Sequence, residues 1–139
     1  MAKMTVEEAR EAVMVELRNN GEKDVVALNA AIVSAQIVVF EGRARINVDF
    51  ERRDGKIKIS VYVLPDGFEK EDRLVAIGSL GALIKDASIE AGKDGLHRKT
   101  EGVLFKLNTG VSWESATPME IARVAKIVAV FKDAVTAVF

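Results

Sequence analysis

The sequence contains no cysteine and only one histidine, His97. The absence of cysteine excludes disulfide bonds, thiolate zinc sites, iron–sulfur clusters and thiol nucleophiles. A single imidazole also excludes any metal site that is built from several histidines. These two absences remove many common kinds of enzyme before any motif is considered.

Neither sign of charge is in excess, since 20 lysines and arginines stand against 21 aspartates and glutamates in a chain of 139 residues. A protein that attracts nucleic acid or anionic lipid through its overall field carries a basic excess. We therefore expect neither a nucleic-acid partner nor a membrane partner. The most apolar stretch, residues 25–40, is too short and too polar to span a bilayer. Because no secretory signal is visible, we expect a cytoplasmic protein.

The residues that could take part in catalysis have no neighbours in the sequence that would complete a catalytic site. His97 falls in a predicted basic loop over 93–99, and no neighbour in the sequence would orient it as a general base. Four acidic residues between positions 66 and 72 stand at the start of a predicted helix, where they favour the helix dipole. No phosphate-binding loop or dinucleotide fingerprint is present. The sequence predicts no catalytic residue, cofactor or metal ligand, and a carboxylate-dependent enzyme is kept as an alternative.

Strict alternation of apolar and polar residues over 44–52 and 57–63 predicts two strands with one buried face each. Between them, Asp54-Gly55 predicts a two-residue hairpin loop that places Phe50 opposite Ile59. A loop at Glu41-Gly42 would pair Ile37 with Ile46 on the same face. These loops predict a three-strand meander over about 35–40, 43–53 and 56–64.

The other elements follow from capping and turn signals. Capping boxes predict helices that begin at Thr5 and at Thr117. A further helix is predicted over 69–91. Near the end of the chain, a loop at 108–110 would pair Leu107 with Val111 and Phe105 with Trp113 in a second hairpin. The stretch 24–34 fits either a helix or a strand, and we favour a short helix.

This order of elements predicts a single α+β domain over residues 1–139. The expected architecture is a two-layer sandwich. One layer is an antiparallel sheet, made of the three-strand meander plus the hairpin. The other layer consists of three main helices.

Two predicted helices have residues that packing against one sheet face does not explain: glycines in the helix over 69–91, and apolar residues around the final helix. Gly78 and Gly81 each cost helix stability, and close packing within the chain or across a dimer would offset that cost. The segment also looks like the GXXG loop of KH domains, although it lacks the usual basic residue between the glycines. The final helix is apolar nearly all round, which indicates burial on two sides of the monomer or burial in a partner. The residues expected at a dimer or partner contact are Gly78, Gly81, Ala82, Val128, Phe131 and Val135.

In element order and size, the chain resembles the type III secretion chaperone-like fold, which includes the YbjN-type bacterial proteins. That resemblance implies a small, dimeric, non-enzymatic protein that binds segments of other proteins. It also implies that the helix containing Gly78 and Gly81 contributes to the dimer. We therefore expect a cytoplasmic, homodimeric protein-interaction or chaperone-like module, with a KH-like nucleic-acid-binding protein as the alternative.

Overall fold

The computed structural model describes residues 3–29, 32–39, 44–63, 93–94 and 103–138. Within these ranges the chain forms an antiparallel sheet and two α-helices, so the predicted α+β class is confirmed. The third predicted helix, over 69–91, lies outside the described residues. The elements in chain order are α1 (Val6–Asn19), β1 (Val25–Asn29), β2 (Val33–Val39), β3 (Ala44–Phe50), β4 (Lys56–Val63), β5 (Lys93–Asp94), β6 (Val103–Ser112), a short 3-10 helix (Trp113–Ser115) and α2 (Pro118–Val138).

Both capping boxes form as the sequence predicts. The Thr5 amide donates to the Glu8 carboxylate at 2.9 Å, and the Glu8 amide donates to the Thr5 hydroxyl at 3.1 Å. Thr117 and Glu120 make the same reciprocal pair, at 3.0 and 3.2 Å. Gly21 follows α1 with a φ of 99°, a conformation that glycine adopts without steric cost. The starts of both helices are therefore determined locally.

The pairing of β2 with β3 confirms the predicted register. Ile37 lies opposite Ile46, and Ala35 lies opposite Val48. The sheet has the strand order β1-β2-β3-β4-β6-β5. The predicted loop at Glu41-Gly42 falls outside the described residues.

The predicted register of β3 with β4 is wrong by two residues. Phe50 lies opposite Ile57 rather than Ile59. The cause is a four-residue loop, residues 52–55, in place of the predicted two-residue loop. The loop is closed by the bond from the Glu51 amide to the Lys56 carbonyl at 3.1 Å and by that from the Gly55 amide to the Glu51 carbonyl at 3.1 Å. A shift of two residues leaves every side chain on its predicted face, so the predicted buried set is retained.

The favoured short helix over 24–34 is also wrong. Residues 25–29 form the strand β1, which pairs antiparallel with β2 from Val25 opposite Ile37 to Asn29 opposite Val33. Backbone hydrogen bonding to the free edge of β2 stabilises this strand. A local sequence pattern contains no signal for that interaction.

The predicted second hairpin does not form, because β6 is one continuous strand through Leu107 and Val111. The segment 108–110 contributes to a bulge in which three residues of β6, 109–111, lie opposite the single residue Ile57 of β4. Gly110 has a φ of 75°, and its amide donates to the Asn108 side-chain oxygen at 2.9 Å. Glycine with positive φ occurs in bulges as well as in hairpin turns, so the same signal fits both structures.

The two helices share one face of the sheet. The apolar side chains of β2, β3, β4 and β6 on that face belong to the same buried cluster as the inner faces of α1 and α2. Helix α1 contacts β1, β2 and β3, while α2 contacts α1, β3 and β6. Neither described helix has the combination of length and hydropathy that crossing a bilayer requires.

We predict that Phe50→Ala lowers the free energy of unfolding by about 3–5 kcal/mol, because the ring is completely buried in this cluster. Urea unfolding measures the change. Met119→Ala is the control, since that side chain is 82% exposed and its loss should change stability by less than about 0.5 kcal/mol. A loss below about 1 kcal/mol for Phe50→Ala would contradict the burial.

A second prediction concerns the bulge in β6. The buried Thr109 hydroxyl donates to the Ile57 carbonyl at 2.7 Å and accepts from the Val111 amide at 3.2 Å. Thr109→Val keeps the shape but leaves both backbone groups unpaired, so we expect a loss of about 1–3 kcal/mol. Thr136→Val, at an exposed site on α2, is the matched control and should be close to neutral. Equal unfolding midpoints for the two variants would show that the hydroxyl does not hold the bulge.

Candidate functional site

Half of the predicted contact residues lie outside the described part of the chain. These are Gly78, Gly81 and Ala82. His97 and the acidic residues between positions 66 and 72 also fall outside it. Their predicted roles, including the KH-like alternative, stay predictions.

The other three predicted contact residues, Val128, Phe131 and Val135, are completely buried within one chain. Helix α2 packs against α1 as well as against β3 and β6. Burial on two sides of the monomer is one of the two outcomes that the sequence left open, and it accounts for the apolar circumference of α2. These three side chains retain no exposed area, so a partner surface must be sought elsewhere among the described residues.

The sheet face opposite the two helices is polar. Across β2 and β3, the Ser34 hydroxyl donates to the Asp49 carboxylate at 2.7 Å, and the Gln36 amide group donates to the Asn47 side-chain oxygen at 2.9 Å. Ser34, Gln36 and Asp49 are nevertheless buried. Burial, together with the Asp49 carboxylate, raises the pKa of Tyr62 on β4. Directly opposed partners of this kind stabilise one strand register, and we assign the pairs that structural role.

A dense ionic cluster stabilises the loop between β3 and β4. The Lys58 ammonium donates to Glu51 at 2.6 Å and lies 2.8 Å from Asp54. Its bonds to Asp54 and Glu51 raise the pKa of Lys58. The bond from Lys58 and the 3.0 Å bond from the Lys56 amide lower the pKa of Asp54. The ammonium is thus engaged with both carboxylates.

Trp113 attaches this loop to the end of β6. The indole N–H donates to the Glu51 carbonyl at 2.8 Å, and the Trp113 amide donates to the Gly55 carbonyl at 3.0 Å. The sequence predicted Trp113 in a strand opposite Phe105. It begins a 3-10 helix instead, which turns the chain towards α2.

A cavity of about 350 Å³ opens beside the loop. Its exposed apolar surface comes from the start of β2, and two consecutive arginines of the loop complete it. Sequence reasoning missed this site, and the only available signal was the dipeptide Arg52-Arg53 inside a predicted hairpin. The lining residues are Ile32, Val33, Phe50, Glu51, Arg52 and Arg53.

The outer edge of β1 is the second exposed feature. Within the described ranges, β2 is the only strand that pairs with β1. Val26, the second residue of the strand, is 46% exposed. Arg10 of α1 reaches the end of the strand, where its guanidinium donates to the Leu28 carbonyl at 2.9 Å and to the Asn29 side-chain oxygen at 2.5 Å. The edge therefore presents the Val26 side chain to solvent, while Arg10 binds the Leu28 carbonyl at one end of the strand.

Within the part of the chain that the structure describes, no three histidine, aspartate or glutamate side chains converge in a way that could hold a metal ion. Comparison with protein-family models, with curated proteins and with solved structures found no match for this chain. The resemblance to type III secretion chaperone-like proteins therefore stays a prediction from element order. The candidate site consists of the β1 edge and the arginine-bordered cavity.

The ionic cluster makes a testable prediction about pH. Because the pKa of Lys58 is above its usual 10.5 in the folded protein, the cluster stabilises the fold below that pH. This stabilisation is lost as the pH rises through the pKa of the folded state. We expect NMR titration of the lysine side chains to place Lys58 above 10.5.

The variant Asp54→Asn removes the larger cause of the shift and should lower the pKa of Lys58. Asp133→Asn, on an exposed turn of α2 outside the cluster, is the control and should leave Lys58 unchanged. A Lys58 pKa that is the same in wild type and Asp54→Asn would show that the ion pair does not persist in solution.

Proposed function

We propose that the protein is a homodimeric protein-interaction module whose two copies pair along the outer edge of β1. The observation that carries the proposal is the open, apolar edge of this strand. Nearly half of Val26 is exposed, and residues 25–29 include no charged residue and no proline. Sheet edges that must stay unpaired are usually protected by lysine, proline, a bulge or a covering element.

The direction of the backbone groups supports pairing at this edge. The Leu28 carbonyl accepts a hydrogen bond from Arg10, which indicates that it points away from β2. In an antiparallel ladder, the N–H and C=O of one residue point to the same side and alternate residues point the same way. Val26 therefore presents its N–H and C=O to the same outer edge. The Leu28 carbonyl keeps a second lone pair for a partner, because a carbonyl oxygen accepts two hydrogen bonds.

The strand is complementary to a second copy of itself. A two-fold axis at Ala27 places Val26 opposite Leu28 of the other copy, and an isologous contact repeats this pair on both sides of the axis. Both of these residues have outward backbone groups, so they can exchange a pair of hydrogen bonds in this register. No charge faces another charge along residues 25–29. A second copy is therefore the occupant that we propose.

This proposal moves the expected dimer contact from the helices to the sheet. A contact at β1 would join two sheets into one and leave the cores beneath α1 and α2 intact. It agrees with the expected cytoplasmic, chaperone-like role, which is part of the proposal. It requires no catalytic residue.

The oligomeric state tests the proposal directly. Sedimentation equilibrium at tens of micromolar should give about twice the chain mass of 15.1 kDa. Val26→Lys places a charge on the edge and should shift the mass towards that of the monomer. Far-ultraviolet circular dichroism should show that the variant remains folded, because the exposed side chain is not part of the core.

Val15→Lys is the matched control, since Val15 on α1 is 45% exposed and Val26 is 46% exposed. The control should sediment as wild type does. A wild-type protein that is monomeric throughout the micromolar range would contradict the proposal. A Val26→Lys variant that keeps the dimer mass would show that the copies associate through another surface.

A further inference from the structure

The cavity beside the β3–β4 loop combines apolar walls with two guanidinium groups. Ile32 and Val33 contribute the exposed hydrocarbon surface, Phe50 lines the cavity from within the core, and Arg52 and Arg53 contribute the charge. A volume of about 350 Å³ lies at the lower end of the range for small-molecule sites. The site therefore suits a compact ligand that has both an apolar body and an anionic group.

The arginines keep most of their charge available. The carboxylates of Glu51 and Asp54 both bind Lys58, whose ammonium offsets one of their two negative charges. Arg52 makes one long contact, 3.5 Å, with Glu7, and both side chains are exposed. Exposed pairs of this kind contribute little free energy. Arg53 has no carboxylate within ion-pair distance among the residues that the structure describes.

The loop that bears the arginines is held in place at several points. Its ends are joined to each other by backbone hydrogen bonds, and Trp113 binds the Glu51 and Gly55 carbonyls. Asp54 is held by Lys58 and by the Lys56 amide. Binding a ligand therefore orders only the two arginine side chains, which reduces the entropic cost of binding.

We infer that this cavity binds an organic carboxylate that has an apolar body. The apolar part lies against Ile32 and Val33, and the carboxylate accepts hydrogen bonds from Arg53 and Arg52. The planar guanidinium fork matches a carboxylate and can bind it through two parallel hydrogen bonds. This chemistry is shared by a free carboxylic acid and by the carboxyl-terminal apolar residue of a polypeptide. The inference goes beyond the proposed dimer and does not depend on it.

The experiment uses phenylacetate as the free acid and N-acetyl-phenylalanine as the mimic of a polypeptide carboxyl terminus. Binding is followed by the amide NMR shifts of the isotope-labelled protein, with phenylacetamide as the uncharged analogue of the first probe. For a ligand of this size we expect a dissociation constant of about 0.1–10 mM for at least one acid. The shifts should be concentrated at Ile32, Val33, Arg52 and Arg53. Preference for one acid identifies which source the site favours, and phenylacetamide should not bind.

Arg53→Gln should weaken binding about tenfold or more, because it removes a charged hydrogen-bond donor. Ile32→Asp should also weaken binding, since it places a carboxylate in the cavity. Arg18→Gln, at an exposed position on α1, is the matched control and should bind as wild type does. The dimer variant Val26→Lys should bind equally well, which separates this inference from the proposed function.

Three outcomes would overturn the inference. The first is that neither acid produces shifts around the cavity up to about 20 mM. The second is that phenylacetamide and phenylacetate bind with equal affinity. The third is that Arg53→Gln leaves the affinity unchanged.

Discussion

One face of the β2–β3–β4 meander is buried beneath α1 and α2. This packing determines where the other described parts of the protein lie. Ile46, Val48, Phe50 and Ile59 have no exposed surface, and each buried side chain of this size contributes about 1.5–3 kcal/mol. Because alternate residues point to opposite faces, burying one face also determines which residues form the polar face. The pairs Ser34–Asp49 and Gln36–Asn47 then stabilise the register from the other side.

The same sheet brings together the parts of the arginine cavity. Val33 lies opposite Phe50 where β2 begins and β3 ends, so the pairing of these strands brings the apolar start of β2 next to the arginine loop. Trp113 then attaches the following loop to the end of β6. Core packing, strand pairing and one indole hydrogen bond thus create a surface site from residues that are far apart in sequence.

The apolar circumference of α2 is explained by the position of the helix between the sheet and α1. Its inner residues contribute to the stability of the single chain, and one of the exposed apolar side chains among the described residues, Val26, lies at the edge of β1. Val26 is exposed there because β1 is the last strand of the sheet.

The sequence alone determined the starts of both helices, the α+β class and the buried face of the meander, because capping boxes and two-residue alternation are local patterns. Tertiary structure decided the rest. The slip from Ile59 to Ile57 opposite Phe50 preserves the faces, so alternation cannot detect it. The bulge at Thr109 and the strand at 25–29 depend on β4 and β2 as partners. The candidate site also depends on partner strands. Arg52 and Arg53 are visible in the sequence, but only strand pairing places an apolar cavity beside them.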